Sequence, residues 1–126
     1  MSGKEKIQLE FVIKSSPSLL FERISTASGL SEWFADDVAV KGNLFTFIWN
    51  GVPQEAKLLN KRINNSVRFK WLEEEEDTYF EFKISQDELT GDVSLIITDF
   101  VDPDEKKESI SLWESQIGDL KHLVGS

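Results

Sequence analysis

Residues 102–124, DPDEKKESISLWESQIGDLKHLV, decide the fold. Ile110, Trp113, Ile117, Leu120 and Val124 follow one another at steps of 3, 4, 3 and 4 residues. That spacing puts them on one stripe of an α-helix. Asp102 stands at the N-cap. Pro103 takes the first helical position, where its missing N–H costs nothing. Glu105, three residues after the cap, completes a capping-box arrangement and adds negative charge at the positive end of the helix dipole. Gly125 ends the pattern. The spacing predicts a helix over Pro103 to Val124, roughly 30 Å long, with an apolar stripe that must lie on another layer.

Upstream of that helix, the stretch from Asp36 to Phe100 reads as strand and turn throughout. Phe45, Phe47 and Trp49 alternate with polar or outward residues, and so do Val67, Phe69 and Trp71. The same holds for Phe80, Phe82 and Ile84, and for Val93, Leu95 and Ile97. A period of two marks half-buried strands. Asp37 to Val40 is a further short strand, and Gln54 to Ile63 is the return strand after Asn50-Gly51. That dipeptide is the strongest hairpin signal in the chain, because both residues tolerate positive φ. Lys41-Gly42-Asn43, Asn64-Asn65 and Asp87 to Gly91 mark other turns, and Glu73 to Asp77 reads as a solvated acidic loop. Connections this short make neighbouring strands antiparallel.

The N-terminal segment opens with Ile7, Leu9, Phe11 and Ile13 in alternation, a first strand. Ser16 can cap a short helix that starts at Pro17 and carries Leu19, Leu20, Phe21 and Ile24. A second short helix is expected over Thr26 to Phe34, capped by Thr26. The expected architecture is α+β, an antiparallel sheet of about six or seven strands under a long C-terminal helix. Residues 1–126 read as a single domain, without an internal repeat.

Composition narrows the function classes. The 126 residues contain no cysteine, which removes a disulfide framework, a thiolate nucleophile and a Cys-based metal site. The net charge is −9, from 23 acidic and 14 basic residues. Phosphate backbones and anionic membranes are held by clustered Lys and Arg, and no such cluster exists, so neither nucleic acid nor membrane insertion is expected. A basic protein partner would suit the acidic surface. No apolar run reads as a signal peptide or a span, and the default expectation is a cytoplasmic protein.

Catalytic and metal constellations do not stand out, and no cofactor is expected. His122 is the only histidine. It lies nine positions after Trp113, about half a turn of azimuth away, and should face solvent where its charged form suits the helix C-terminus. The Glu73 to Asp77 loop lacks the spaced ligands and glycine of a calcium loop. Asp99 continues the phase of Val93, Leu95 and Ile97. Two readings follow: an inward carboxylate with raised pKa, able to act as an acid or base, or a residue in a turn after the strand has ended. Asn60 and Arg62 share the phase of Ala56 and Leu58, so they either supply polar groups to the interior or emerge at the sheet edge. Leu44, Ile48, Leu59 and Ile63 are apolar on the outward face and would suit an edge contact or a homodimer.

The order of elements resembles the START-like superfamily, also called SRPBCC or helix-grip, nearest the branch related to the activator of the heat-shock ATPase. The features that carry the resemblance are the Ser16-Pro17 helix, the Leu30-Ser31-Glu32-Trp33-Phe34 stretch, Trp49-Asn50-Gly51, the strand ending in Trp71, and the helix bearing Trp113 and Leu120. It extends over essentially the whole chain. The resemblance implies a curved sheet gripping the long helix, with a hydrophobic cavity between them. Around that cavity it puts the aromatics Trp33, Phe34, Phe47, Trp49 and Trp71, then Phe82, Trp113 and Ile117, with Asp99 and Arg62 as polar groups. The same rings could equally be core filling, since large aromatics dominate small cores. Three functions are implied. The first is binding of a small hydrophobic or amphipathic ligand. The second is a protein-interaction module like the co-chaperones, although those carry an additional N-terminal domain. The third is a cyclase or dehydratase using Asp99 or Arg62, a reading without a paired acid and base to support it.

Overall fold

The computed structural model describes residues 3–74 and 77–125. Glu75 and Glu76 of the acidic loop lie outside the described residues. Strand β1 (Glu5–Val12) leads into two short helices, α1 (Pro17–Ser25) and α2 (Ala27–Leu30). Six strands follow: β2 (Asp37–Lys41), β3 (Leu44–Trp49), β4 (Val52–Arg62), β5 (Ser66–Trp71), β6 (Phe80–Gln86) and β7 (Val93–Val101). The last element is the helix α3 (Lys106–Leu123). The strands form one seven-stranded curved antiparallel sheet in the order β1-β7-β6-β5-β4-β3-β2. The architecture is thus the expected α+β helix-on-sheet arrangement, with β1 and β2 at its edges.

Local chemistry accounts for the short elements. The Ser16 hydroxyl accepts from Leu19 N at 3.2 Å, capping α1 behind Pro17. Thr26 both closes α1 and opens α2: its hydroxyl donates to Glu22 O at 2.8 Å and accepts from Gly29 N at 2.9 Å. The two helices are therefore hinged at one residue and pressed together. A Cβ at Gly29 would lie 2.2 Å from Glu22 O, so only glycine fits there. The helical part of the Thr26 to Phe34 segment is shorter than expected. It ends at Leu30, and the chain then turns with Phe34 N and Ala35 N both donating to Leu30 O. Between β3 and β4, Asn50 and Gly51 both have positive φ, 51° and 78°, as a tight hairpin turn demands.

Helix α3 departs from expectation at its start. Asp102 makes no side-chain cap. Its backbone carbonyl instead accepts from Glu105 N at 2.9 Å, so Pro103–Glu105 forms a 3₁₀ turn and the α-helix proper begins at Lys106. The main chain has already satisfied the donor that the side chain would have capped. The apolar stripe is as read: Trp113, Ile117 and Leu120 are buried, and Ile110 and Val124 pack at its ends. His122 is exposed in the last turn.

The core lies between the helix layer and one face of the sheet. Leu20, Phe21 and Ile24 of α1 and Leu30 of α2 pack with Phe45, Phe47, Phe69, Phe82, Leu95 and Ile97. Leu19, expected on the apolar side, is exposed. Phe34 sits at the hub, its ring centroid 5.1 Å from Phe47, 5.5 Å from Phe82 and 5.7 Å from Trp113. Edge-to-face and offset pairs at such separations contribute about 0.5–1.5 kcal/mol each beyond area burial.

On the outer face, Arg68 pairs with Glu81 at 3.0 Å and covers the Tyr79 ring at 4.0 Å. Leu59, at an irregularity of β4, and Ile63, in the turn after it, are exposed, whereas Leu44 and Ile48 are half-buried.

Candidate functional site

Strand β7 does not stop before Asp99; it runs on to Val101. The alternation of Leu95 and Ile97 therefore carries Asp99 to the helix side of the sheet. Its Oδ2 accepts from Trp113 Nε1 at 3.0 Å, and its Oδ1 accepts from Phe100 N at 2.8 Å. Burial pushes the Asp99 carboxyl above the ordinary aspartate range, against the downward pull of these two hydrogen bonds. The reading in which Asp99 falls in a turn is corrected: the continuing apolar residues Phe100 and Val101 extend the strand.

Beside Asp99 the sheet and α3 part into an open cleft of about 390 Å³. Trp49, Trp71, Phe80 and Phe34 form its aromatic side. Trp113 and Leu112 form the helix side. Each ring is placed by a different element. Trp49 ends β3, and its indole N–H donates to Phe34 O at 2.8 Å. That carbonyl also accepts from Gln116 Nε2 at 2.9 Å, so β3, the turn after α2 and α3 meet at one oxygen. Trp71 ends β5 and stacks on Phe80 with centroids 4.8 Å apart.

A second, polar recess of about 250 Å³ adjoins the cleft and shares Gln54, Trp71, Asp99 and Ser109 with it. Glu55, Glu73, Glu74, Asp102 and Glu105 surround this mouth, with Lys4 as its basic member. Lys4 Nζ is 2.6 Å from Glu74 Oε1. Lys106, just beyond, is paired with Glu5. The whole constellation is an aromatic trough with one partly desolvated carboxylate at its inner end and an acidic rim.

The residues expected at the cavity separate into three groups. Phe34, Trp49, Trp71, Trp113 and Asp99 come together at the cleft. Phe47, Phe82, Ile117 and Trp33 are buried in the packed core behind it; Trp33 Nε1 donates to Arg23 O at 2.8 Å. Arg62 is elsewhere. A β-bulge between Leu58 and Asn60 shifts the register of β4 against β5, so Asn60 pairs with Arg68 and Arg62 with Ser66. One inserted residue turns every following side chain to the other face, and Arg62 emerges in solvent. It also lies eight residues along β4 from Gln54, roughly 26 Å at strand rise.

Gln54, Phe80, Ser109, Leu112 and Gln116 line the cleft and were not singled out from sequence. The available signal was positional. Gln54 pairs with Phe47 across the hairpin and so shares its inward face. Ser109, Leu112 and Gln116 lie four before, one before and three after Trp113, flanking the apolar stripe. Among the described residues, no group of three or more His, Cys, Asp or Glu is placed to hold a metal ion. No described helix is long and apolar enough to cross a membrane.

A curved antiparallel sheet closed over by one long C-terminal helix, with a cleft where the two diverge, defines a helix-grip protein. The family model for the START-like superfamily domain matches residues 1–126. The chain is 40% identical to BfR322 from Bacteroides fragilis, known as a solution NMR structure, over 96% of this chain and 91% of that one, with a TM-score of 0.68. The Aha1 dimer from Colwellia psychrerythraea shares the fold at a TM-score of 0.80 and 19% identity, over 95% of this chain and 96% of that one. CalU16 from Micromonospora echinospora shares it at 0.73 and 12% identity, over 96% of this chain and 74% of that one. No curated protein matches the chain. This chain belongs to the START-like superfamily.

Proposed function

We propose that the protein binds a small hydrophobic or amphipathic ligand in the cleft between the sheet and α3. The observation that carries this reading is the cleft itself: about 390 Å³ of open space walled by Trp49, Trp71, Phe34 and Trp113 beside an otherwise filled core. That volume falls in the usual range for small-molecule sites, about 300–1,000 Å³, and the mixture of aromatic walls with few polar groups matches their chemistry. Membership of a superfamily whose fold commonly holds hydrophobic ligands agrees with it. Gln54, Ser109 and Asp99 are the polar groups that would orient a bound molecule.

The test uses a neutral apolar dye, Nile red, and native mass spectrometry. The protein should enhance and shift Nile red emission with one saturable site, and its own tryptophan emission should change in parallel. Ser109→Trp, which fills the cleft from the flank of α3 that borders it, should abolish both effects while the far-UV circular dichroism stays unchanged. Native mass spectra of protein taken directly from cell extract should show an adduct. Dye binding that persists in Ser109→Trp, together with a bare protein mass, would refute the reading.

A further inference from the structure

Resting on that reading, we infer that the cleft selects a hydrophobic organic cation, such as an alkylammonium, whose charged head sits among Trp49, Trp71 and Asp99 while its apolar tail follows Phe34, Phe80 and Leu112. Three independent features point to this chemistry. First, the walls are aromatic rings, and ring faces carry the negative part of the π quadrupole. A cation over Trp is the strongest of these pairings, and aromatic enclosures are a recurrent solution for ammonium heads. Both Trp49 and Trp71 keep solvent-accessible ring surface at the cleft.

Second, the inner carboxylate is presented to the cleft, and the cation that acts on it, Lys4, stands in the adjoining polar mouth paired with Glu74. The two oxygens of Asp99 are fixed by Trp113 Nε1 and Phe100 N, which sets its orientation. Neither donor carries a full charge, and burial outweighs both of them and the charge of Lys4, so the carboxyl stays raised. A cation at this point would relieve the cost of that burial, whereas a fatty carboxylate would meet like charge. The residues lining the cleft include neither Lys nor Arg, so the cleft itself offers an anion no full positive charge.

Third, the approach is acidic. Glu55, Glu73, Asp102 and Glu105 border the polar mouth, and Lys4 there is engaged with Glu74. On a chain of net charge −9, this rim raises the local concentration of cations at the entrance and lowers that of anions. The rim steers; the rings and Asp99 discriminate.

The experiment compares three probes with the same eight-carbon tail: octyltrimethylammonium, n-octanol and octanoate. Each is titrated into the full chain by calorimetry and tryptophan fluorescence at moderate salt. The ammonium should bind at least about tenfold more tightly than octanol, and octanoate most weakly. Asp99→Asn and, separately, Trp71→Leu should bring the ammonium down to the level of octanol. Glu88→Gln removes one charge from an exposed turn remote from the cleft and should leave the preference intact. Octanol and octanoate binding as well as the ammonium would overturn the cation inference and leave the hydrophobic cleft standing. No binding by any of the three would overturn both. An equal loss in Glu88→Gln and Asp99→Asn would overturn the inference too, because the preference would then come from net charge rather than from the site. Thermal melts of the two cleft variants show whether each is folded, and Trp71→Leu tests the ring contribution even if Asp99→Asn does not fold.

Discussion

Replacing Gly29 by alanine adds one methyl group, and the structure leaves no room for it. The new Cβ would stand 2.2 Å from Glu22 O, 2.7 Å from Arg23 Cα and 2.9 Å from Glu22 C. All three atoms are backbone of α1, so no flexible side chain can swing aside. Opening the closest contact from 2.2 to the 3.0 Å that real Cβ atoms respect moves α1 by 0.8 Å relative to α2. That shift strains the shared Thr26 hinge, whose hydroxyl bonds both helices, and disturbs the burial of Leu20, Phe21 and Ile24. Overpacking of this kind costs about 1–3 kcal/mol, and rigid backbone on the far side argues for the upper end. For a domain of this size about 3 kcal/mol lowers Tm by roughly 10 °C. The same substitution at Gly118 is the internal control. Gly118 is exposed in α3 with nothing within 4 Å of its Cβ position, so alanine should add helix propensity and stabilise by about 0.8–1 kcal/mol. Urea denaturation and thermal melts followed by circular dichroism read both. A Gly29→Ala protein melting with the wild type, or a Gly118→Ala protein melting below it, would refute the close-packing argument.

Other outcomes follow from burial and register. Ile117→Ala removes a side chain that is 1% exposed under the helix and should cost about 2–5 kcal/mol in urea titrations; a loss below about 1 kcal/mol would mean the helix–sheet seam is not packed as described. Arg62→Ala should change stability by less than about 0.5 kcal/mol and leave dye binding unaltered, and weakened binding would restore Arg62 to the site. The Asp99 carboxyl, raised by burial, binds its proton more tightly folded than unfolded, so its contribution to stability is fully present below the ordinary aspartate value of 3.8 and is lost as pH rises through the raised one. The stability of wild type relative to Asp99→Asn should therefore fall with pH above that lower bound, whatever constant offset the amide introduces; a difference that is flat or rising in urea titrations across the acid range would contradict the burial of the charge.

The fold was legible because its signals are local and agree with one another. Alternation fixed the inward faces of β3, β5, β6 and β7, Asn50-Gly51 fixed one hairpin, and the stripe from Ile110 to Val124 fixed how α3 lies. The site was less legible because it depends on register over longer distances. Nothing at Leu58-Leu59-Asn60 announces a bulge: there is no glycine or proline, and Leu59 reads as one more strand residue. Yet that inserted residue is what turns Arg62 outward. Asp99 remained open between two readings until the length of β7 was known. The separation of core from cleft was also invisible, since Phe47 and Phe34 look alike in a sequence. Only the depth of the sheet distinguishes a ring that fills the core from one that also borders open space.

The position of the cleft has a physical cause in the residues that fail to close it. At most points the inward face of the sheet meets apolar side chains from the helices. At this end it meets something else. Gln54, exposed though opposite the buried Phe47, supplies an amide where a Leu or Ile would have continued the core. Ser109 and Gln116 flank Trp113 on α3 with one short and one polar side chain, and Gln116 is drawn off to Phe34 O rather than into the gap. Asp99 completes the set from β7. Four polar residues from three elements thus occupy places where hydrophobic ones would have extended the core. To the extent that they are desolvated, polar groups at these places cost free energy that apolar ones would not. A feature that costs stability and comes from separate parts of the chain is better explained by a ligand that uses it. That expectation sets a limit on stability engineering. Gln54→Leu with Asp99→Leu should raise the melting temperature while abolishing recognition, and a double variant that melts higher and still selects octyltrimethylammonium would show that these polar positions serve no ligand.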